Sequence, residues 1–320
     1  MLRLLRTIVA GAAILLSAGV ASANDYPNRF VKLVVGFPPG GATDTMARIV
    51  ADSLSKELGQ SVVVENKPGA GSNIAATSVA RADPDGYTLL LGTAGTNAIN
   101  KSLYANLPYD HLKDFAPVGL AASSANILVV NPNSPAKSIQ DFIDLAKKQR
   151  VTIAIPGNGS TPHLTTELLK MESGITLVGV PYRGGGPGMT DVIAGKVDAL
   201  FEAPMSAMPH IKSGAVKALG ISSKERNPTL PDVPAIAETL PNFEATAWWG
   251  VFAPVNVPKD VLEKLQTAFA KALESEDFRK RLGDLGAVIT PMTPAAFQTL
   301  IENDTEKWGK VVKAAGIKVE

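Results

Sequence analysis

Apolar residues along this chain come in short unbroken runs, separated by stretches with a helical period. VKLVVGF (31–37), SVVVEN (61–66) and YTLLLG (87–92) have the length and β-branched content of buried strands. Between the first two, residues 44–58 place Ala47, Val50, Leu54 and Leu58 on one helical face and stop at Gly59. A second helical stretch covers 74–81. ANILVVN (125–131) predicts the next strand, followed by a helix that Ser138 opens with Asp141 three residues on, a capping pattern. TIAIP (152–156), LVGVPY (177–182), VDALFEA (197–203) and VKALGIS (216–222) extend the series, with helices between them. Buried strands alternating with helices predict an α/β architecture with mainly parallel sheets. ATAWWGVFAP (245–254) is one more strand, and the tail beyond it reads as helical. There Thr293 and Pro294 supply an N-cap and a first-turn proline for a last helix through Phe297, Leu300, Ile301 and Trp308. Pro228, Pro231 and Pro234 mark a long surface loop.

The first residues break this alternation. Arg3 and Arg6 precede an apolar run (8–20) and the small-residue box Ala21, Ser22, Ala23, the layout of a secretory signal peptide cleaved after Ala23. The expected location is the periplasm. No other stretch approaches the ~20 apolar residues of a spanning helix. The chain has no cysteine, which excludes both disulfides and a lipid-anchored N-terminus. Cleavage after position 23 removes two arginines and no acid, so 31 basic side chains become 29 against 30 acidic ones. A charge near −1 gives no electrostatic footprint for nucleic acid or anionic lipid. The roughly 297 remaining residues suffice for two domains with separate cores.

Five glycine-rich loops follow strands: FPPGGATD (37–44), KPGAGSN (67–73), GTAGTN (92–97), PGNGST (156–161) and YRGGGPG (182–188). In open α/β sheets the ligand crevice lies beyond the carboxyl ends of the strands. Glycine lets backbone approach a ligand closely, and a helix N-terminus adds partial positive charge. In the fourth loop Thr161 reads as the N-cap and Pro162 as the first helical residue, so the helix starts where an anion could dock. The loops match no nucleotide fingerprint, because the third glycine of GxGxxG is Ile74, Pro162 or Met189, and no GxxxxGK[ST] occurs. There is no GxSxG and no HExxH, and His111, His163 and His210 are scattered. No cofactor or metal is implied. His163 either touches a ligand or packs on the first helical turn. Arg183, the one cation in these loops apart from Lys67 at the edge of the second, is either a carboxylate clamp or part of a structural ion pair. Trp248 and Trp249 point to opposite faces of their strand, so one enters the core and the other can approach a cleft.

The ordered set FPPGGATD, VVVENKPGAGSNI, DPDGYTLLLGT, LPYDHLKDFAPV, GNGSTPH, VPYRGGGPGMTD, LPDVP and WWGVFAP resembles the Bug family, the periplasmic solute receptors of tripartite tricarboxylate transporters. The similarity runs over nearly the whole chain beyond the leader. The resemblance implies a Venus-flytrap fold of two α/β domains joined by two crossover strands. Domain 1 would be 24–124 plus 246–320, and domain 2 would be the inserted 125–245. It further implies a monomer that serves membrane transporter subunits and holds a small carboxylated solute by loop backbone amides. Carried over by position, the contacts are Phe37, Pro39, Gly40, Gly41, Ala42, Thr43 and Asp44, with Gly71, Ser72, Thr93 and Thr96 nearby. From domain 2 come Gly157, Asn158, Gly159, Ser160 and Thr161, with His163, Arg183 and Glu202 as further candidates. Two departures stand out: Glu202, Ala203, Pro204 where relatives carry Asp and a small or amide residue, and Ile155, Pro156 where a small polar pair is usual. If Glu202 faces the cleft, it would repel a second carboxylate. The competing readings are an exported hydrolase or isomerase using Asp44, Glu202 or His163, and a receptor that feeds a sensor kinase.

Overall fold

The computed structural model describes residues 26–157, 159–228 and 230–318. The signal-peptide segment and Asn158 lie outside the described residues. Among those described, no helix is long and apolar enough to cross a membrane.

Two five-stranded sheets carry the fold. The first contains β1 (Val31–Val35), β2 (Val62–Asn66), β3 (Thr88–Thr93), β4 (Phe115–Ala125) and β10 (Thr246–Pro254), in the order β2-β1-β3-β10-β4. The second contains β5 (Ile127–Val130), β6 (Thr152–Ile155), β7 (Val178–Pro181), β8 (Ala199–Glu202) and β9 (Lys217–Ile221), in the order β7-β6-β8-β5-β9. Helices connect the strands: α1 (Ala42–Leu58), α2 (Asn73–Ala80), α3 (Asn100–Leu103), α4 (Ile139–Lys148), α5 (Thr161–Ser173), α6 (Gly185–Ile193) and α7 (Pro204–Lys212). The tail forms α8 (Lys259–Glu274), α9 (Glu276–Asp284) and α10 (Pro294–Ala315). Ser138 accepts a hydrogen bond from the Asp141 N–H at 3.1 Å, and Thr293 caps α10 through the Ala296 N–H at 3.2 Å, as their sequence patterns predict.

Both sheets are mixed, which corrects the expectation of mainly parallel pairing. β1, β2 and β3 run parallel, as do β6, β7 and β8, but β10 is antiparallel to β3 and β4, and β5 is antiparallel to β8 and β9. The antiparallel strands are those that carry the chain from one sheet to the other. The sequence pattern missed β4 altogether. FAPVGLAASSA holds a proline, a glycine and small residues in place of a β-branched run. Its position at the sheet edge, with β10 as its neighbour strand and a single bridge from Ser123 to Val288 on the other side, tolerates Pro117.

The tail helix α10 is anchored to the first sheet by aromatic packing among Trp248, Phe252 and Phe297. The buried Trp248 indole donates to Asp304 Oδ2 at 2.7 Å, and Lys307 pairs with Asp304 Oδ1 at 2.7 Å. α10 also packs against α5 below the second sheet, so the tail touches both lobes.

The chain passes between the sheets twice, at Asn126 and at Ala245, and Ser222 ties both passages together. Its hydroxyl accepts the Asn126 N–H at 2.8 Å and donates to the Ala245 carbonyl at 2.5 Å. Its backbone N–H donates to the Asn126 carbonyl and its carbonyl accepts the Ala245 N–H, both at 2.8 Å. Ser222 is fully buried, so water cannot replace these bonds. Ser222→Ala strands one amide and one carbonyl without altering the backbone, at about 1–3 kcal/mol for such an orphaned group. Denaturant unfolding should therefore show a loss of about 2 kcal/mol; a change under about 0.5 kcal/mol means the hydroxyl does not hold the junction.

Candidate functional site

The carboxyl ends of the parallel strands of both sheets open onto one cavity of about 430 Å³. From the first lobe it is lined by Phe37 and Thr43 after β1, Gly71 after β2, and Thr93, Ala94 and Gly95 after β3. Ile99, Asn100, Leu103 and Tyr104 close that side, and Ala247, Trp248 and Trp249 of β10 form the floor. The second lobe contributes Gly159, Ser160, Thr161 and Pro162 at the start of α5. No charged side chain lines the cavity among the described residues.

The first loop is shaped by an anion of its own. Asp44 is buried; it accepts the Gly40 N–H at 2.9 Å, Asn66 Nδ2 at 2.9 Å and two bonds from Arg48 at 2.9 and 3.1 Å. The Arg48 hydrogen bonds, against the opposing effect of burial, hold its carboxyl at about 2. Asn66 also donates to the Phe37 carbonyl at 2.9 Å, which fixes the strand-to-loop turn. Asp44 therefore braces the loop from beneath and does not line the cavity. Pro39, Gly40, Gly41 and Ala42 are exposed beside the cavity without lining it, whereas Phe37 and Thr43 face inward. Trp249 donates from its indole to Thr43 Oγ1 at 3.1 Å, joining β10 to the start of α1. Gly41 caps α1 with no side-chain acceptor, so the first-turn amides at this wall have no side-chain cap.

The second and third loops rest on a buried polar network. Asn100 Nδ2 donates to the Gly71 carbonyl at 3.0 Å and to Asn73 Oδ1 at 2.7 Å. The Tyr109 hydroxyl lies 2.9 Å from Asn73 Oδ1 and 2.8 Å from the Thr96 carbonyl. Gly71 has φ +60°, and a Cβ there would meet the Tyr104 hydroxyl at 2.7 Å, so a side chain would be strained and would displace that hydroxyl. Thr96 is buried and exchanges hydrogen bonds with Thr93, the Thr93 N–H donating to Thr96 Oγ1 at 2.9 Å. It supports the turn while Thr93 faces the cavity. Ser72 is likewise buried, its hydroxyl lying against Gly36 and unpartnered. Neither Ser72 nor Thr96 lines the cavity.

On the opposite wall the cap of α5 is Ser160, one residue earlier than expected, its hydroxyl accepting the His163 N–H at 3.4 Å. Gly157 carries φ +132° and sits beside the wall, outside the lining residues. His163 does not line the cavity; its Nδ1 accepts the Gly159 N–H at 3.0 Å and its Nε2 lies 3.9 Å from Glu167 Oε1. The Gly159 amide is thereby satisfied within the chain. Arg183 is exposed and Glu202 is half-buried, and neither lines the cavity. Sequence reasoning missed Ile99, Asn100, Leu103 and Tyr104, which follow the GTAGTN loop on a π-turn (Gly95–Ile99) and α3. The signal was Asn100 and Tyr104 at helical spacing just beyond a glycine loop.

Comparison with known proteins points the same way. A family model described as tripartite tricarboxylate transporter family receptor matches residues 46–317. The chain is 36% identical to BugT of Bordetella pertussis over 311 residues, covering 95% of each protein. A Rhodopseudomonas palustris protein solved with adipate is 35% identical with a TM-score of 0.77, the match covering 92% of this chain and 100% of that one. MatC of the same organism, solved with bound malate, is 36% identical with a TM-score of 0.73, covering 90% of this chain and 100% of that one.

The His163 contact has a pH signature. Burial pushes its imidazole below the ordinary value near 6.5, against the attraction of Glu167. The fold thus prefers the neutral ring, whose Nδ1 accepts from Gly159. That preference is neutral above about 6.5 and destabilises increasingly as pH falls below it, where the unfolded chain takes up the proton first. His163→Asn keeps an acceptor without the titration. The stability advantage of wild type over this variant should shrink between pH 7 and pH 5; a constant difference would show that the ring does not titrate against the loop.

Proposed function

The chain belongs to the tripartite tricarboxylate transporter family of receptors, and on that premise we propose that it captures one small carboxylated solute between its two lobes. The observation that carries this reading is the cavity itself. Its described lining has no charged side chain, yet the N-termini of α1 and α5 enter it from opposite walls. Helix N-termini supply N–H donors and roughly half a positive charge each, which suits a carboxylate and needs no lysine or arginine. The hydroxyls of Thr43, Thr93, Ser160 and Thr161 add neutral polar groups, and Trp249 and Tyr104 offer apolar faces to the rest of the solute.

Two relatives of this fold hold dicarboxylates, malate and adipate, which supports a carboxylate as the recognised group. In this reading 24–124 plus 246–320 form one lobe and 125–245 the other, and the lobes rotate about the Ser222 junction. The solute contacts both walls only when they close, so it stabilises the closed form by its differential affinity. The protein would act as an exported monomer, processed after Ala23, that hands its solute to membrane subunits without chemical change.

A melting screen tests this. At ~100 times its dissociation constant a ligand stabilises the fold by about 2.7 kcal/mol, a rise of about 4 °C for a chain of this size. One small carboxylate should give that shift, and its carboxamide should give none. An amide that binds as well as its acid contradicts carboxylate capture, and reproducible product formation contradicts a receptor.

A further inference from the structure

Resting on that reading of the cavity, we propose that Tyr104 sets the specificity of the site. Its hydroxyl requires an oxygen, borne by a hydroxyl or a second carboxyl, at the end of the solute away from the captured carboxylate. Tyr104 closes α3, its N–H donating to the Asn100 carbonyl at 3.0 Å, and both Tyr104 and Gly71 line the cavity. The hydroxyl occupies the space that a side chain at Gly71 would need, 2.7 Å from the point where a Cβ would stand. It therefore lies on the wall where two lining residues meet, with the short helix behind it and the glycine beneath.

Most other side-chain donors around the cavity are committed within the fold. Asn100 gives both protons of its amide, to the Gly71 carbonyl at 3.0 Å and to Asn73 Oδ1 at 2.7 Å. Trp248 donates to Asp304 and Trp249 to Thr43. Ser160 donates to the Gly157 carbonyl at 2.7 Å, and the Thr93 hydroxyl exchanges bonds with Thr96. The hydroxyl protons of Thr43 and Thr161 have no acceptor among the described residues, but these threonines stand in the first turns of α1 and α5, where the carboxylate docks. Tyr104 is half-buried, and its hydroxyl has no hydrogen-bond partner among the described residues. Among the described lining it is the one uncommitted side-chain donor that does not stand at either of those helix N-termini. A phenol hydroxyl both donates and accepts. When the lobes close on an apolar chain end, this hydroxyl loses water and gains nothing, and a buried polar group without a partner is costly. An oxygen at the same point takes the place of that water. A site with such a donor rejects an analogue that lacks the acceptor far better than one of altered size. Ile99 and Leu103, beside it on this wall, are apolar and offer that end no hydrogen bond from a side chain.

The test uses two series of straight-chain acids at pH 7.5: butanoate, 4-hydroxybutanoate and succinate, then hexanoate, 6-hydroxyhexanoate and adipate. Butanamide and hexanamide serve as uncharged probes. In calorimetric titration of wild type, the best oxygen-bearing acid should bind at least about tenfold tighter than the alkyl acid of its length, the size of one buried hydrogen bond. Tyr104→Phe removes only the hydroxyl, and should narrow that ratio to within about threefold by weakening the oxygen-bearing acid alone. Because the hydroxyl has no partner within the described fold, the unliganded variant should melt with wild type. Three results overturn the selection role while leaving carboxylate capture standing: alkyl acids as tight as their oxygen-bearing partners at both lengths, a ratio that survives in Tyr104→Phe, or an unliganded variant that melts early. An amide as tight as its acid, or binding of none of the six acids, overturns the capture reading and the selection role with it.

Discussion

The architecture depends on one buried junction. Two polypeptide passages connect the sheets, and a single serine hydroxyl at position 222 bonds to both, with its own backbone completing the set. Those passages meet at one place, and loops from both sheets line one cavity. The loops that meet there follow β1, β2, β3 and β6.

The loops at that cavity are organised by acceptors the chain supplies itself. Asp44 gathers the Gly40 amide, Asn66 and Arg48, and His163 takes up the Gly159 amide. Each would otherwise have been counted as a donor waiting for a ligand. Their use within the fold leaves the helix N-termini as the main positive features of the site, already oriented before anything binds. Preorganised dipoles of this kind need no rearrangement at the moment of binding, which favours affinity for a small anion over a broad range of shapes.

Much of this could be read from the residues. The strand runs, the Ser138 and Thr293 caps and the five glycine loops all follow from local chemistry, and the ordered motifs identified the receptor family, and with it the fold. What failed was long-range. β4 escaped notice because its stability comes from pairing with β10, 121 or more positions away in register, and not from its own small residues. Asp44, Ser72 and Thr96 look like ligand contacts by position, but side-chain direction and burial, invisible in a one-dimensional pattern, turn them beneath the surface. Trp248 and Trp249 illustrate the boundary between the two cases. Alternation along a strand separates their faces, yet only the fold says that Trp248 meets Asp304 while Trp249 meets Thr43.

The central claim is that two lobes close on a carboxylate about the Ser222 junction. Small-angle scattering, titrated with the acid that raises the melting temperature, tests it most directly. The radius of gyration should fall as that acid is added, with the same midpoint as calorimetric binding, and should not change with the matching amide. A saturable binding isotherm with no change in radius would contradict the account, because the solute would then be held without closure.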